Sequence, residues 1–427
     1  MSEEPATDVA PSLGRTVAAV YALAWLLPAF VAGYAIVTMF QFDAVLVPDY
    51  VPAVHGGLGH FFLDPWQHWD GQWYLRIAER GYYPGDASAA FLPAYPMLAR
   101  AVRAFVGDTV LSGCLVSWVA LAGALVTVAR LFREEIGDDY RLALVLLVTF
   151  PTAFYFHAAY TESLFLFAAA QALLAARERR FVTAGAFALV ATLTRWTGFV
   201  LVPTLLAEAW AQAAAKRDGR TVADHRLPEL LAKPGVAALR SLSPVAVISA
   251  LSPLAAFPIV FRVLDESIHD PMGFDRAQRL WERRLAPPWQ GLVEGVTVLL
   301  PGHPPFLTPL PGGFPRLPFY PGGFLEAHAY NLVAALAALA LAFVSIGRLR
   351  ASSAAFALAS AILPLMTPSR LQPLQSVPRF FVVMFPLFAV LALLVKRRPL
   401  VAACLVAGFA MLQGFFVARF ALWFWVA

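Results

Sequence analysis

VAAVYALAWLLPAFVAGYAIVTMF, residues Val17 to Phe40, decides what kind of fold this chain adopts. An α-helix rises about 1.5 Å per residue and a bilayer core is about 30 Å thick, so about 20 apolar residues make a span. The stretch has that length and carries no charged side chain. A cleaved leader would combine a basic front, an apolar core of about 7 to 15 residues and a small-residue cleavage site. The polar, mixed-charge start and the longer apolar run read as a membrane span instead.

Ten further apolar segments follow, at roughly 109–129, 142–157, 160–176, 181–194, 198–212, 244–261, 328–347, 352–366, 380–395 and 399–422. The sequence therefore predicts an all-α polytopic membrane protein of about eleven spans, forming a single domain over residues 1–427. Composition agrees, since 60% of the 427 residues are hydrophobic and 14% charged. Such a balance is wrong for a soluble single-core fold. No internal repeat of the kind that marks many secondary transporters is visible.

The net charge of +5 is explained by its placement rather than by a nucleic-acid partner. With the N-terminus inside, the cytoplasmic connections hold Arg130, Arg133 and Arg141; Arg177, Arg179 and Arg180; Lys216, Arg217 and Arg220; Arg348 and Arg350; Lys396, Arg397 and Arg398. That is the positive-inside pattern, and the reverse orientation would export every cluster in a short loop. Two long loops, 41–108 and 262–326, then face the non-cytoplasmic side, and chemistry is expected there. Cys114 and Cys404 both fall in apolar segments and support neither a disulfide framework nor a zinc site.

In the first exported loop, Asp64-Pro65 reads as an N-cap with proline at the first helical position, and Gly81 ends the segment. One interfacial helix, Pro65 to Arg80, is expected along the membrane surface. Trp66, Asp70, Trp73, Tyr74 and Ile77 would share one face, with Gln72, Arg76 and Glu79 on another. A carboxylate among tryptophans is costly unless it is used or paired, which singles out Asp70. His55, His60 and His68 match no defined metal-ligand spacing. A second helix begins near Pro93 or Pro96 and runs to Phe105.

The run His68-Trp69-Asp70-Gly71, with Trp73-Tyr74, Ile77-Ala78, Gly81-Tyr82 and Ala90-Phe91-Leu92-Pro93-Ala94-Tyr95-Pro96, resembles the PIG-V-type mannosyltransferase family. The resemblance continues through Phe150-Pro151-Thr152-Ala153-Phe154-Tyr155-Phe156, Ala159-Tyr160-Thr161-Glu162-Ser163, Thr194-Arg195 before Gly198, and Pro378-Arg379-Phe380 before Phe385-Pro386-Leu387. Asp270-Pro271-Met272-Gly273-Phe274, Ala277-Gln278, Trp281 and Pro288-Trp289 are similar to prokaryotic relatives. Leu92 and Ala94 depart from the pattern, which more often has phenylalanine and leucine, and Trp73-Tyr74 stands where eukaryotic members have histidine and phenylalanine.

The resemblance implies a GT-C-like membrane bundle that moves a hexose, most readily mannose, from a polyprenyl-phosphate donor to a glycolipid, glycan or protein acceptor on the exported face. Motif match makes Asp70 the catalytic acid-base residue, taking the proton of the acceptor hydroxyl as it attacks with inversion. The leaving phosphate needs charge stabilisation, which suits Arg195 and Arg379, unless these two instead pair with Glu162. His68, Glu162, Gln278 and Trp281 are the further candidates for orienting the acceptor or the site. No Asp-x-Asp spacing in an exported loop suggests a divalent ion, and no cofactor beyond the lipid-linked donor is implied. The competing reading is a polyprenyl-lipid or sugar transporter or flippase. The proline-rich stretch 301–323 reads as an irregular loop.

Overall fold

The computed structural model describes residues 9–39, 47, 49–232, 242–280, 282–300, 323–369, 372–424 and 426. The expected loop at 301–323 lies almost wholly outside the described residues, as does Trp281. Among the described residues the chain is helical, with an isolated antiparallel bridge between Arg283 and Ser369 as its β contact.

The helices, in order, are α1 (Val9–Thr38), α2 (Leu58–Phe62), α3 (Asp70–Arg80), α4 (Ala94–Val106), α5 (Thr109–Ile136), α6 (Tyr140–Thr149), α7 (Glu162–Arg177), α8 (Phe181–Thr194), α9 (Leu201–Asp218) and α10 (Leu227–Ala232). They continue as α11 (Pro244–Ala250), α12 (Ala256–Ile268), α13 (Gly273–Leu280), α14 (Pro288–Thr297), α15 (Gly323–Arg348), α16 (Ala351–Ile362), α17 (Val377–Phe381), α18 (Pro386–Val395) and α19 (Pro399–Ala421). Short 3-10 turns link several of them, among them Asp64–Gln67, Ala153–Phe156, Trp196–Val200 and Leu363–Met366.

Five helical stretches are long and apolar enough to cross a membrane, Leu13–Thr38, Thr109–Thr149, Trp196–Asp218, His328–Arg348 and Pro399–Ala421, which marks an integral membrane protein. A sixth is the pair Pro244–Ala250 and Ser252–Ile268, bent by 46° where Pro253 interrupts the helix. Phe181–Thr194, Ala351–Met366 and Pro386–Val395 are shorter apolar helices. Length and composition alone count five or six such stretches among the described residues, with Thr109–Thr149 taken as one. The eleven expected are not reached on that criterion because several apolar runs are shortened by prolines and 3-10 turns. The stretch Thr109–Thr149 is itself a hairpin. Gly137, at φ 62°, ends α5, and the chain returns alongside it, so that Trp118 donates to the carbonyl of His157 at 3.2 Å.

The basic clusters meet at one end of the bundle. Arg177 pairs with Glu135 at 2.7 Å and Glu134 at 3.1 Å, Arg130 with Glu178 at 3.1 Å, and Lys396 with Asp139 at 2.7 Å. Chain turns far apart in sequence are therefore neighbours there, as the alternating threading requires. Between the ends, α5, α7 and α8 pack closely. Gly185 of α8 sits so near α11 that an added Cβ would lie 2.9 Å from the Ser249 carbonyl.

The first long loop departs from expectation. Pro65 to Arg80 is not one helix: the 3-10 turn Asp64–Gln67 ends at His68, Trp69 adopts φ 57° and ψ −127°, and α3 begins only at Asp70. Asp64 is not a cap. Its carboxylate accepts from the backbone N–H of His55 and bonds both the His55 and His60 rings. Nor does α3 lie on a surface with one polar face, since Gln72 and Arg76 are as buried as Trp73 and Ile77. The loop that follows folds back over that face, placing Asp86 against Arg76 and the Tyr83 ring 4.5 Å from its guanidinium. The second helix forms where expected, as α4.

Candidate active site

At the end of the bundle opposite the basic clusters, four ionisable residues from four distant segments converge. Asp70 is the first residue of α3, where the helix dipole favours a carboxylate. Trp69 before it holds a left-handed φ that costs a non-glycine residue about 1 kcal/mol or more. Tertiary contacts impose that shape. The Trp69 ring packs 5.8 Å from Trp423, Tyr160 donates to the His68 carbonyl at 3.0 Å, and the Ala159 N–H donates to the Trp66 carbonyl at 2.9 Å. Asp70 is thereby aimed at α17 rather than along the helix that the sequence suggested.

Arg379 of α17 donates from Nη1 to Asp70 Oδ2 at 2.5 Å and from Nε to Glu162 Oε1. Its guanidinium also lies over the Tyr160 and Tyr155 rings, at 4.6 and 5.2 Å. Glu162, the first residue of α7, is fully buried, and the same Oε1 accepts from Arg195 Nη1 at 2.5 Å. Arg195 leaves the end of α8 in extended conformation, donates to Thr161 Oγ1 at 3.1 Å and covers the Phe380 ring at 4.8 Å. The result is a continuous chain, Asp70–Arg379–Glu162–Arg195, in which each arginine is met by a carboxylate.

This chain borders a cleft of about 580 Å³. Asp70, Arg195 and Arg379 line its polar end, and Asp70 keeps 18% of its side chain exposed there. The opposite wall is aromatic. Trp196 and Phe199 stack at 5.6 Å, Phe257 of α12 lies 5.1 Å from both, and Phe274 of α13 meets Trp196 edge-on at 5.1 Å. On the bent α11–α12 pair this wall runs out into the apolar exterior, where Leu254, Phe257 and Ile259 are exposed. The cleft can therefore hold an amphiphile, with a charged group among the arginines and an apolar chain leaving toward lipid.

No protein-family model matches the sequence, and no curated protein matches it. Among solved structures, the archaeal oligosaccharyltransferase AglB from Archaeoglobus fulgidus, in complex with an inhibitory peptide and a dolichol-phosphate, is 14% identical with a TM-score of 0.41, covering 95% of this chain and 55% of that one. The apo form of the Archaeoglobus fulgidus oligosaccharyltransferase gives 15% identity and a TM-score of 0.44 over 96% of this chain and 56% of the other. This chain thus spans little more than half the length of those proteins. Likeness at that level carries no argument about activity, which has to come from the cleft itself.

Of the remaining residues expected at the site, Gln278 of α13 lines the cleft. His68 stands aside: its ring stacks on Trp423 at 4.1 Å and its Nδ1 faces the Phe420 carbonyl at 3.3 Å. Burial, only partly offset by that carbonyl, pushes His68 down to about 4, so the ring is neutral near pH 7. Its contribution to the site is structural, through the carbonyl that Tyr160 holds. Sequence reading missed Arg283 and Arg284, which line the same cleft from the second long loop. Two adjacent arginines before a pair of prolines were the available signal. In a long exported loop such a pair looks like ordinary solvated charge.

Proposed function

We propose that the protein is a GT-C-type membrane glycosyltransferase, carrying a hexose from a polyprenyl-phosphate donor to an acceptor hydroxyl on the non-cytoplasmic face. The observation that carries this reading is one partly exposed carboxylate, Asp70, held by Arg379 at the polar end of an amphipathic cleft. A sugar attached to a lipid phosphate has the matching shape, with an apolar chain, an anionic link and a polar head.

The chemistry follows from the charges. The acceptor hydroxyl attacks the anomeric carbon while Asp70 takes its proton, and the electron pair of the breaking carbon–oxygen bond goes to the phosphate. Attack from the face opposite the leaving group inverts configuration in one displacement. Phosphate is already a good leaving group and requires cations rather than a proton donor. Arg195 and Arg379 supply positive field at that end, although Glu162 and Asp70 meet their charges directly, and Arg379 has the added task of orienting the base. Glu162 holds both arginines, and Gln278 faces the volume left for sugar or acceptor. The PIG-V-type sequence resemblance favours mannose, and a glycolipid, glycan or protein fits equally as acceptor.

The test uses full-length protein in detergent with a synthetic polyprenyl-phosphate mannose and a panel of acceptors, with product read by mass spectrometry. Transfer in detergent supports the reading. A flippase or transporter needs a sealed bilayer, so lipid translocation in vesicles with no transfer in detergent would replace it.

A further inference from the structure

Four arginines line the cleft: Arg195, Arg283, Arg284 and Arg379. Three of them are committed. Arg195 and Arg379 pair with Glu162 and Asp70, and Arg284 pairs with Glu294 of α14. Arg283 makes no ion pair among the described residues, although it faces the same cavity. Asp275, which also lines the cleft, is paired with Arg279, so among the described residues the polar end holds one positive charge more than its carboxylates balance.

The backbone around Arg283 is built to hold it there. Its N–H donates to the Gln278 carbonyl at 3.2 Å, and it bridges Ser369 in antiparallel fashion. Arg284 and Ala286 donate to the carbonyls of Pro368 and Met366 at 3.2 and 2.9 Å, so 283–286 is braced along 366–369. Glu282 takes φ 50°, a strained shape for a non-glycine residue, just as Trp69 does before Asp70. Burial lowers the Arg283 guanidinium to about 10, with Arg379 and Arg195 pushing the same way and Asp70 opposing. A cation that its surroundings disfavour gains most from an arriving anion.

We infer that Arg283 binds the phosphate of the polyprenyl-phosphate sugar, with the prenyl chain lying along the Trp196–Phe199–Phe257 wall. This rests on the transferase reading. The donor is a phosphodiester with one negative charge. When the acceptor oxygen bonds to the anomeric carbon and the old carbon–oxygen bond breaks, that electron pair stays on the phosphate, which leaves as a monoester with a second charge, and the acceptor's proton goes to Asp70. The charge grows at the group beside the unbalanced guanidinium, whose planar fork can grip two phosphate oxygens.

Binding of a polyprenyl monophosphate and of the matching polyprenol to the full chain in detergent tests this, using wild type, R283Q, R283K and R130Q. R283Q should weaken monophosphate binding about tenfold to a hundredfold, leaving polyprenol binding unchanged, and R283K should recover part of the loss. R130Q, at the opposite end of the bundle where Arg130 pairs with Glu178, should bind the monophosphate as wild type does. Equal weakening of both lipids by R283Q, or a loss in R130Q as large as in R283Q, would overturn the assignment. If R283Q does not fold, wild-type monophosphate affinity in R283K alone would overturn it. A wild type that prefers neither lipid sinks the transferase reading instead, whereas unchanged R283Q beside a wild type that prefers the monophosphate sinks only the role of Arg283.

Discussion

Replacing Glu162 with glutamine removes one charge and almost nothing else. Glutamine keeps an oxygen where Oε1 accepts from Arg195 and Arg379, and its amide falls where Oε2 lies buried with no hydrogen-bond partner. Two guanidiniums lose their shared counter-charge. At an effective dielectric of 20 and about 4 Å, each such pair is worth about 4 kcal/mol before desolvation is counted. Relief of the glutamate's own desolvation offsets part of this, and breaking a buried pair leaves a net loss of about 3–5 kcal/mol. Equilibrium unfolding in mixed micelles, followed by circular dichroism, should show E162Q destabilised by that amount. R195M/E162Q removes the surplus cation as well and should regain at least half of the loss. A single mutant within about 1 kcal/mol of wild type would refute the argument, as would a double mutant whose loss equals the sum of the two singles.

Gly198→Ala tests the turn that presents Arg195. An added Cβ would sit 2.5 Å from Thr192 backbone atoms, and Gly198 N–H donates to the Arg195 carbonyl at 2.8 Å, so relieving the overlap must move Arg195. A cost of about 1–3 kcal/mol in stability and a loss of about a hundredfold in transfer rate are expected, and unchanged transfer would show that the turn tolerates the shift. His55 should make the first loop pH-sensitive. Burial lowers its affinity for a proton, but hydrogen bonds and charge from Asp64 and Asp108 outweigh that, and the net shift is upward. A raised histidine stabilises fully below its unfolded value near 6.5, and the benefit disappears as pH rises through the folded value. Hydrogen-exchange protection at residues 50–64, corrected for the intrinsic base catalysis of amide exchange, should fall as pH rises above about 6.5 in wild type, and H55Q should remove that fall; identical corrected profiles would exclude the clamp.

Much of this fold was legible because apolar run length and the placement of arginines are local properties. The basic clusters assigned to one side do meet, in the Arg177–Glu135 and Lys396–Asp139 pairs. The number of spans was less legible, since prolines such as Pro151, Pro253 and Pro364 break apolar runs that composition alone joins. The break at His68 and Trp69 was hidden for another reason. Asp64-Pro65 is a sound local start signal, but Trp423 and Tyr160, hundreds or scores of residues away, set the backbone there. Asp70, Glu162, Arg195 and Arg379 were all singled out in advance and are brought together. Which arginine lacks an ion-pair partner among the described residues was not readable, because that depends on Glu294 reaching Arg284 rather than Arg283.

Asp70→Asn, assayed for single-turnover sugar transfer from a saturating lipid-linked donor, probes the account most directly. The asparagine matches the aspartate in shape, and Arg379 can still bond its oxygen. Loss of a general base predicts a rate lower by about 10²–10⁴ in folded, donor-loaded protein. Transfer at the wild-type rate would contradict the assignment of Asp70 and the mechanism built on it.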